Sequence, residues 1–157
     1  MSIFDNSLEP LKRMRRKARE RRLLATQNVK DSLARRLESD QETFDHSPVS
    51  FSPDPAQHSV GILLVHGFTG SPHSMRPLAQ HFMELGFAVE MPVLTGHGTR
   101  WQDLRDSTYE QWLDSAEQGY RRLTDQGLRV VVIGMSMGGT VATHLSARLP
   151  VAGTVLI

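Results

Sequence analysis

The 157-residue sequence predicts an α/β fold built on a parallel sheet with flanking helices. Three observations predict it. Short runs rich in apolar and β-branched residues recur at Val60–Val65, Phe87–Met91 and Leu128–Ile133, and read as strands. Between them lie segments whose apolar residues recur every three or four positions, the spacing of helices. Strand alternating with helix calls for right-handed crossovers, which leave neighbouring strands parallel.

Residues 1 to about 45 form a charged extension. Leu11, Met14, Ala18, Ala25, Val29, Leu33 and Leu37 recur at helical spacing with a thin apolar stripe. Between Leu11 and Arg22, eight Lys and Arg face one acid, Glu20. Such a segment is a solvated or partly disordered helix, or a basic amphipathic helix touching anionic lipid or nucleic acid. Its aromatic residues are Phe4 and Phe44, at the ends, and it has no Trp. That favours the solvated helix over peripheral membrane contact through residues 11–37, and no nucleic-acid partner is expected. Residues 46–59 carry Pro48, Pro53 and Pro55 and read as a linker, with a short extended piece around Val49–Ser52. The remaining domain spans 60–157.

Within that domain each element has its own signal. Val60–Val65 is apolar throughout, as in a strand buried on both faces. It runs into His66-Gly67-Phe68-Thr69-Gly70. Ser71 or Ser74 can cap the following helix, Pro77 suits its first turn, and Gly86 ends it. Met75, Leu78, Phe82 and Leu85 form its apolar face. The strand Phe87–Met91 leads to the loop Leu94–Thr99. Ser107 and Glu110 have capping-box spacing and open a helix that carries Trp112, Ala116, Tyr120 and Leu123 and stops at Gly127. Leu128–Ile133 is the third strand, Met137–Arg148 the next helix, and Val151–Ile157 a fourth strand.

The remaining composition is restrictive. There is no cysteine, which excludes disulfides and thiolate chemistry. No apolar run approaches the ~20 residues of a membrane span, and the basic cluster near the start is followed by more charge rather than by a signal-type apolar run. The cytoplasm is the expected compartment. His66, His73 and His97 have no carboxylate at ligand spacing, so no metal and no cofactor are expected.

Gly134-Met135-Ser136-Met137-Gly138 carries the chemistry. It is a G-x-S-x-G pattern between an apolar strand and a helix, the context that places a serine hydroxyl on a sharp, strained turn. Glycines at 134 and 138 allow strand and helix to approach closely. The helix N-terminus that follows favours developing negative charge. In an open parallel sheet, sites lie at the carboxyl ends of the strands. The loops His66–Gly70, Leu94–Thr99 and Gly134–Gly138 all fall there.

The segments His66-Gly-Phe-Thr-Gly70, Gly96-His-Gly98 and Gly134-Met-Ser-Met-Gly-Gly139, in this order, resemble the α/β-hydrolase superfamily. Leu64–Leu78 is similar, more narrowly, to bacterial monoacylglycerol lipases and small carboxylesterases. The resemblance runs from about Gly61 to the last residue. It implies that Ser136 is the nucleophile and that the backbone N–H groups of Phe68 and Met137 form the oxyanion hole. It implies loop-shaping roles for His66, Gly67, His97, Gly134 and Gly138. The substrate it implies is a small lipid-like carboxylic ester.

In that superfamily the order of the triad is Ser, then Asp or Glu, then His. After Ser136 the sequence contains His144 and no acid. Eight positions along a helix is ~12 Å of rise, too far for a hydrogen bond to the serine. The acid and histidine are therefore expected beyond residue 157, which makes the chain the N-terminal part of a hydrolase, truncated after the strand that follows the nucleophile helix. The alternative is an inactive hydrolase-like protein acting only through binding or through its basic extension. A subtilisin-like reading of Gly96–Thr99 and Ser136 fails, because Arg100 and Gly138-Gly139-Thr140 stand where that family has other residues. A nucleotide-binding reading lacks both G-x-G-x-x-G and a P-loop lysine.

Overall fold

The computed structural model describes residues 9–39, 45–54 and 57–157. Pro55, Phe4 and Phe44 lie outside the described residues. The chain divides into two compact units, one up to Ser39 and one from Asp40 onward.

The first unit is a single helix, α1 (Glu9–Ser39). Its described side chains from Lys12 to Ala25 are all exposed, including Met14, Leu23 and Leu24. Arg16 and Glu20, one turn apart, form an ion pair at 3.5 Å. Met14, Ala18 and Ala25 of the predicted stripe lie in solvent and Val29 is half-buried, while the side chains of Leu11, Leu33 and Leu37 lie outside what is described. Helix propensity and the i,i+4 pair support α1 locally, while like charges at the same spacing oppose it.

The second unit is a five-stranded sheet in the order β1-β3-β2-β4-β5. Its strands are β1 (Val49–Phe51), β2 (Val60–Val65), β3 (Ala88–Met91), β4 (Arg129–Gly134) and β5 (Gly153–Leu156). β2, β3, β4 and β5 run parallel, whereas β1 pairs antiparallel with β3, with Val49 opposite Met91. The extended piece in the Pro-rich segment is thus an edge strand. β2 alternates between two cores. Ile62 and Leu64 pack with Met75, Ala79, Val89, Met91 and Ile133 on one face. Leu63 and Val65 pack with residues of two helices, α4 (Tyr109–Thr124) and α5 (Met137–Arg148), on the other. The first face is covered by a 3₁₀ turn (Pro72–Met75) and α2 (Arg76–Glu84). β2, and β4 after the exposed Arg129 at its start, are apolar because helices cover both of their faces.

Besides strand starts one or two residues later in β3, β4 and β5, three local readings change. The capping box of α4 is Thr108 with Gln111, one position later than Ser107 with Glu110. Ser107 is otherwise engaged: its hydroxyl donates to the Leu104 carbonyl and accepts from Trp112 Nε1. Ser71 does precede the 3₁₀ turn, but its side chain caps nothing there; it bonds His46 instead. A short helix, α3 (Trp101–Arg105), follows the 94–99 loop, where no helix is predicted. The closing strand keeps Val155, Leu156 and Ile157 largely exposed.

Candidate active site

β2, β3 and β4 are parallel, so their carboxyl ends lie along one edge of the sheet. Val65 is in register with Gly134, which sets the 66–70 loop beside the 134–138 turn. The Met135 N–H donates to the Val65 carbonyl at 3.0 Å and extends that pairing past the strand end.

Ser136 occupies the bend. Its φ is 53° and its ψ −120°, a conformation that L-residues rarely adopt. Among the described residues, Thr69 (φ 57°) and Ser136 are the non-glycine residues with positive φ, and they sit in these two adjoining loops. Strain of this kind amounts to about 1–3 kcal/mol per residue and persists only where surrounding contacts enforce it. The enforcing contacts are specific. The Ser136 N–H donates to the Ile157 carbonyl at 2.8 Å, and the Ile157 N–H donates to the Gly134 carbonyl at 3.0 Å.

The two glycines of the pattern serve close approach. A methyl group on Gly134 would overlap the backbone of Gly138 and Gly139. One on Gly138 would overlap the carbonyl oxygens of Val65 and His66. Gly67 faces the serine: a methyl there would lie 3.3 Å from Ser136 Cβ and from the Met135 carbonyl. The loop after β2 therefore rests directly on the bend. Neither the Phe68 N–H nor the Met137 N–H has a hydrogen-bond partner among the described residues. Met137 is the first residue of α5, where an N–H has no intrahelical acceptor.

His66 is wholly buried and bonded at both nitrogens. The Leu94 N–H donates to Nε2 at 3.1 Å, so Nδ1 carries the proton and donates to the Gly67 carbonyl at 3.0 Å. Burial pulls its pKa down to about 4, against the opposing Gly67 bond, with a smaller push from His97. The imidazole is thus neutral and joins the loops after β2 and β3. His97 is also buried, and burial likewise lowers its pKa. Its Nδ1 lies 3.3 Å from the Thr95 carbonyl, and its Nε2 has no partner among the described residues. The rings of His66, Phe68 and Trp112 surround it edge-to-face, at centroid distances of 5.0, 6.1 and 5.4 Å. Phe68 itself is 56% exposed, so its side chain is open to a ligand while its backbone is held.

A cavity of about 560 Å³ opens beside Ser136, bounded by Tyr109, Thr140, Thr143, His144 and Leu156 among others. His144 lines it but is bonded elsewhere, with Nδ1 3.1 Å from the Tyr109 hydroxyl and the two rings stacked. No bond between His144 and Ser136 occurs among the described residues. Nor, among those residues, do three or more His, Asp or Glu gather as a metal site, and none of their helices is long and apolar enough to cross a membrane.

The structure thus brings Gly67, Ser136, Gly134 and Gly138 together, with His66 and His97 behind them. Three further participants carry weak sequence signals or none. Thr69 holds a positive φ that β-branched residues disfavour, so its residue type does not announce the strain it bears. Trp112, expected on a helix face, packs its ring against Phe68 and His97. His46, in the Pro-rich segment, gave no signal.

A strand–turn–helix bearing a strained serine, with a neighbouring loop laid against it, defines an α/β hydrolase architecture. A profile of the alpha/beta hydrolase family matches residues 62–157, and the chain belongs to that family. It is 47% identical over 91 residues to a thermostable monoacylglycerol lipase of Bacillus sp. strain H-257, covering 58% of this chain and 36% of that protein. It is 32% identical over 95 residues to a carboxylesterase of Bacillus subtilis strain 168, covering 60% of this chain and 39% of that protein. Among solved structures, one from the work on LipS and LipT, two metagenome-derived lipolytic enzymes, superposes with a TM-score of 0.66 at 34% identity. That match covers 71% of this chain and 44% of the other. The Bacillus coagulans carboxyl esterase in complex with glycerol gives a TM-score of 0.59 at 22% identity, covering 69% and 38%, and shows the shared fold. The chain therefore spans well under half the length of each of these relatives.

Proposed function

We propose that this chain carries the nucleophile and oxyanion hole of a serine ester hydrolase whose substrate is a small lipid-like carboxylic ester such as a monoacylglycerol. The observation that carries the reading is the backbone of Ser136, held at positive φ between β4 and α5 with Gly67 against it. The identity to a monoacylglycerol lipase and a carboxylesterase supports the substrate class.

In the proposed reaction Ser136 Oγ attacks the ester carbonyl carbon and gives its proton to a general base. The carbonyl oxygen becomes an oxyanion, and the unpaired N–H groups of Phe68 and Met137 donate to it. Losing one such donor typically raises the barrier by about 2.7–4 kcal/mol. Collapse of the intermediate expels the alcohol and leaves an acyl-enzyme, which water hydrolyses with regeneration of the serine. His66 and His97 act as neutral struts of the loops rather than as the base. His144 is engaged with Tyr109, so the base and its orienting carboxylate belong to the part of the hydrolase domain by which the relatives are longer.

A second reading follows from that same point: without a base near Ser136, the chain persists as an inactive hydrolase-like binding protein. Reaction with a fluorophosphonate decides between them. The esterase reading expects covalent label on Ser136 and none on the Ser136→Ala variant. An unlabelled protein, in a preparation that includes the complete hydrolase domain, establishes the binding-only reading.

A further inference from the structure

We infer that His46 is a positioning residue for the oxyanion loop, acting through Ser71 and Gly98 from outside the family-matched segment; this rests on the Phe68 role proposed above. The match to the family begins at residue 62, so His46 belongs to the lead-in that precedes it. That lead-in crosses the edge of the sheet where the site loops emerge. His46 Nδ1 is hydrogen-bonded to Ser71 Oγ at 2.7 Å, and Ser71 is buried. The His46 side chain also covers Gly98. A methyl group on Gly98 would lie 3.0 Å from His46 Cβ and 3.7 Å from Ser71 Cβ. One imidazole therefore meets both the loop after β2 and the loop after β3.

The lead-in is fastened on either side of this contact. Before it, Asp45 forms an ion pair with Arg76 at 2.5 Å, and Arg76 Nε donates to the Asp45 carbonyl at 3.2 Å. After it, Arg76 Nη2 donates to the Ser47 carbonyl at 2.9 Å, and β1 then pairs with β3. His46 is thus presented from a fixed backbone.

The contacts with Ser71 and Gly98 lead to the site by short paths. From Ser71 the chain turns back through Gly70, whose N–H donates to the Gly67 carbonyl at 3.1 Å, and Gly67 rests on Ser136. From Gly98 the neighbouring residue is His97, whose ring packs against His66 and Phe68. Loss of His46 frees the Ser71 hydroxyl and uncovers Gly98. Both loops then gain freedom at the positions that orient the Phe68 N–H.

The experiment compares wild type, His46→Ala and His46→Asn, since an asparagine side chain can place a polar atom where Nδ1 stands. Amide hydrogen exchange is followed at Gly70 and His97, whose N–H groups are bonded within the two loops, and at Val132 in β4 as the reference for global opening. His46→Ala is expected to speed exchange at Gly70 and His97 about tenfold while leaving Val132 unchanged, with His46→Asn restoring the wild-type rates. The rate of Ser136 labelling by a fluorophosphonate is expected to fall about tenfold in His46→Ala and to recover in His46→Asn. Equal acceleration at all three amides, or none at Gly70 and His97, would overturn the inference. Exchange does not require the serine to react, so absence of label from every variant of the complete hydrolase domain counts against the esterase reading alone, and the loop amides still decide the role of His46.

Discussion

The Leu94 amide donates its hydrogen to His66 Nε2 at 3.1 Å, and this contact fixes both the tautomer and the charge of the buried imidazole. A proton on Nε2 would face an N–H group and lose the bond. The loops after β2 and β3 therefore stay joined only while His66 is neutral.

Stability should consequently depend on pH. The folded-state pKa of His66, about 4, lies below the ordinary value of 6.5, so below pH 6.5 the unfolded chain takes up the proton first. The contribution of neutral His66 is complete above pH 6.5 and is lost as pH falls towards 4, where the loss levels off. Between pH 6.5 and 4.5 it amounts to roughly 2–3 kcal/mol. His97, lowered in the same direction, adds to the slope. Urea unfolding across this range should show the decline, and His66→Gln, less stable at pH 7, should show a flatter one. A wild-type curve that is level from pH 6.5 to 4.5 would refute the neutral-strut assignment.

Ser136 is held in backbone strain that glycine would relieve. Ser136→Gly should stabilise the fold by about 1 kcal/mol, the relief of positive φ exceeding the greater freedom of glycine in the unfolded chain. Ser136→Ala keeps the strain and should match wild-type stability. Chemical denaturation of the three proteins measures the order, and an unchanged or destabilised glycine variant would mean that the bend is not strained.

Gly138 and Gly139 stand side by side in α5 and should respond oppositely to alanine. A methyl on Gly138 overlaps two carbonyl oxygens of the β2 end, so Gly138→Ala should cost about 3 kcal/mol or more. At Gly139 the nearest atom would be 3.5 Å away, an ordinary contact. Gly139→Ala should therefore be neutral or stabilising by up to about 1 kcal/mol through helix propensity. Melting temperatures of the two variants test the contrast.

Glu90 is 2% exposed on β3 and bonded to Arg122 Nε at 2.8 Å and to the Ser50 hydroxyl. Arg122→Leu leaves this carboxylate buried without its cation and should cost about 3 kcal/mol. Glu90→Leu combined with Arg122→Leu should recover most of that loss, because the uncompensated charge is gone. A double-mutant cycle by urea unfolding supplies both numbers, and additive losses would contradict the pairing.

The fold was legible where one residue type answers to one constraint. β2 (Val60–Val65) and the Val130–Ile133 run of β4 had to be buried because they hold no polar side chain, and Gly86 and Gly127 end helices at positive φ. Ser136 was legible for the same reason, since its flanking glycines are required by contacts too close for a methyl group. Other features depend on partners distant in the sequence. Glu90 interrupts an apolar strand, but nothing nearby shows that Arg122, on α4, meets it. His46 bonds Ser71 from 25 positions away, and no local pattern marks such a bond. The start of α4 was misplaced by one residue because Ser107 and Thr108 are both good caps, and the tertiary contact with Trp112 decides between them.

Through the bond from the Ser136 amide to the Ile157 carbonyl, the Ser136 bend is latched by the residue just after β5, so its geometry depends on β5 being seated beside β4. Any partner that drew β5 away from β4 would loosen the bend without touching Ser136 itself.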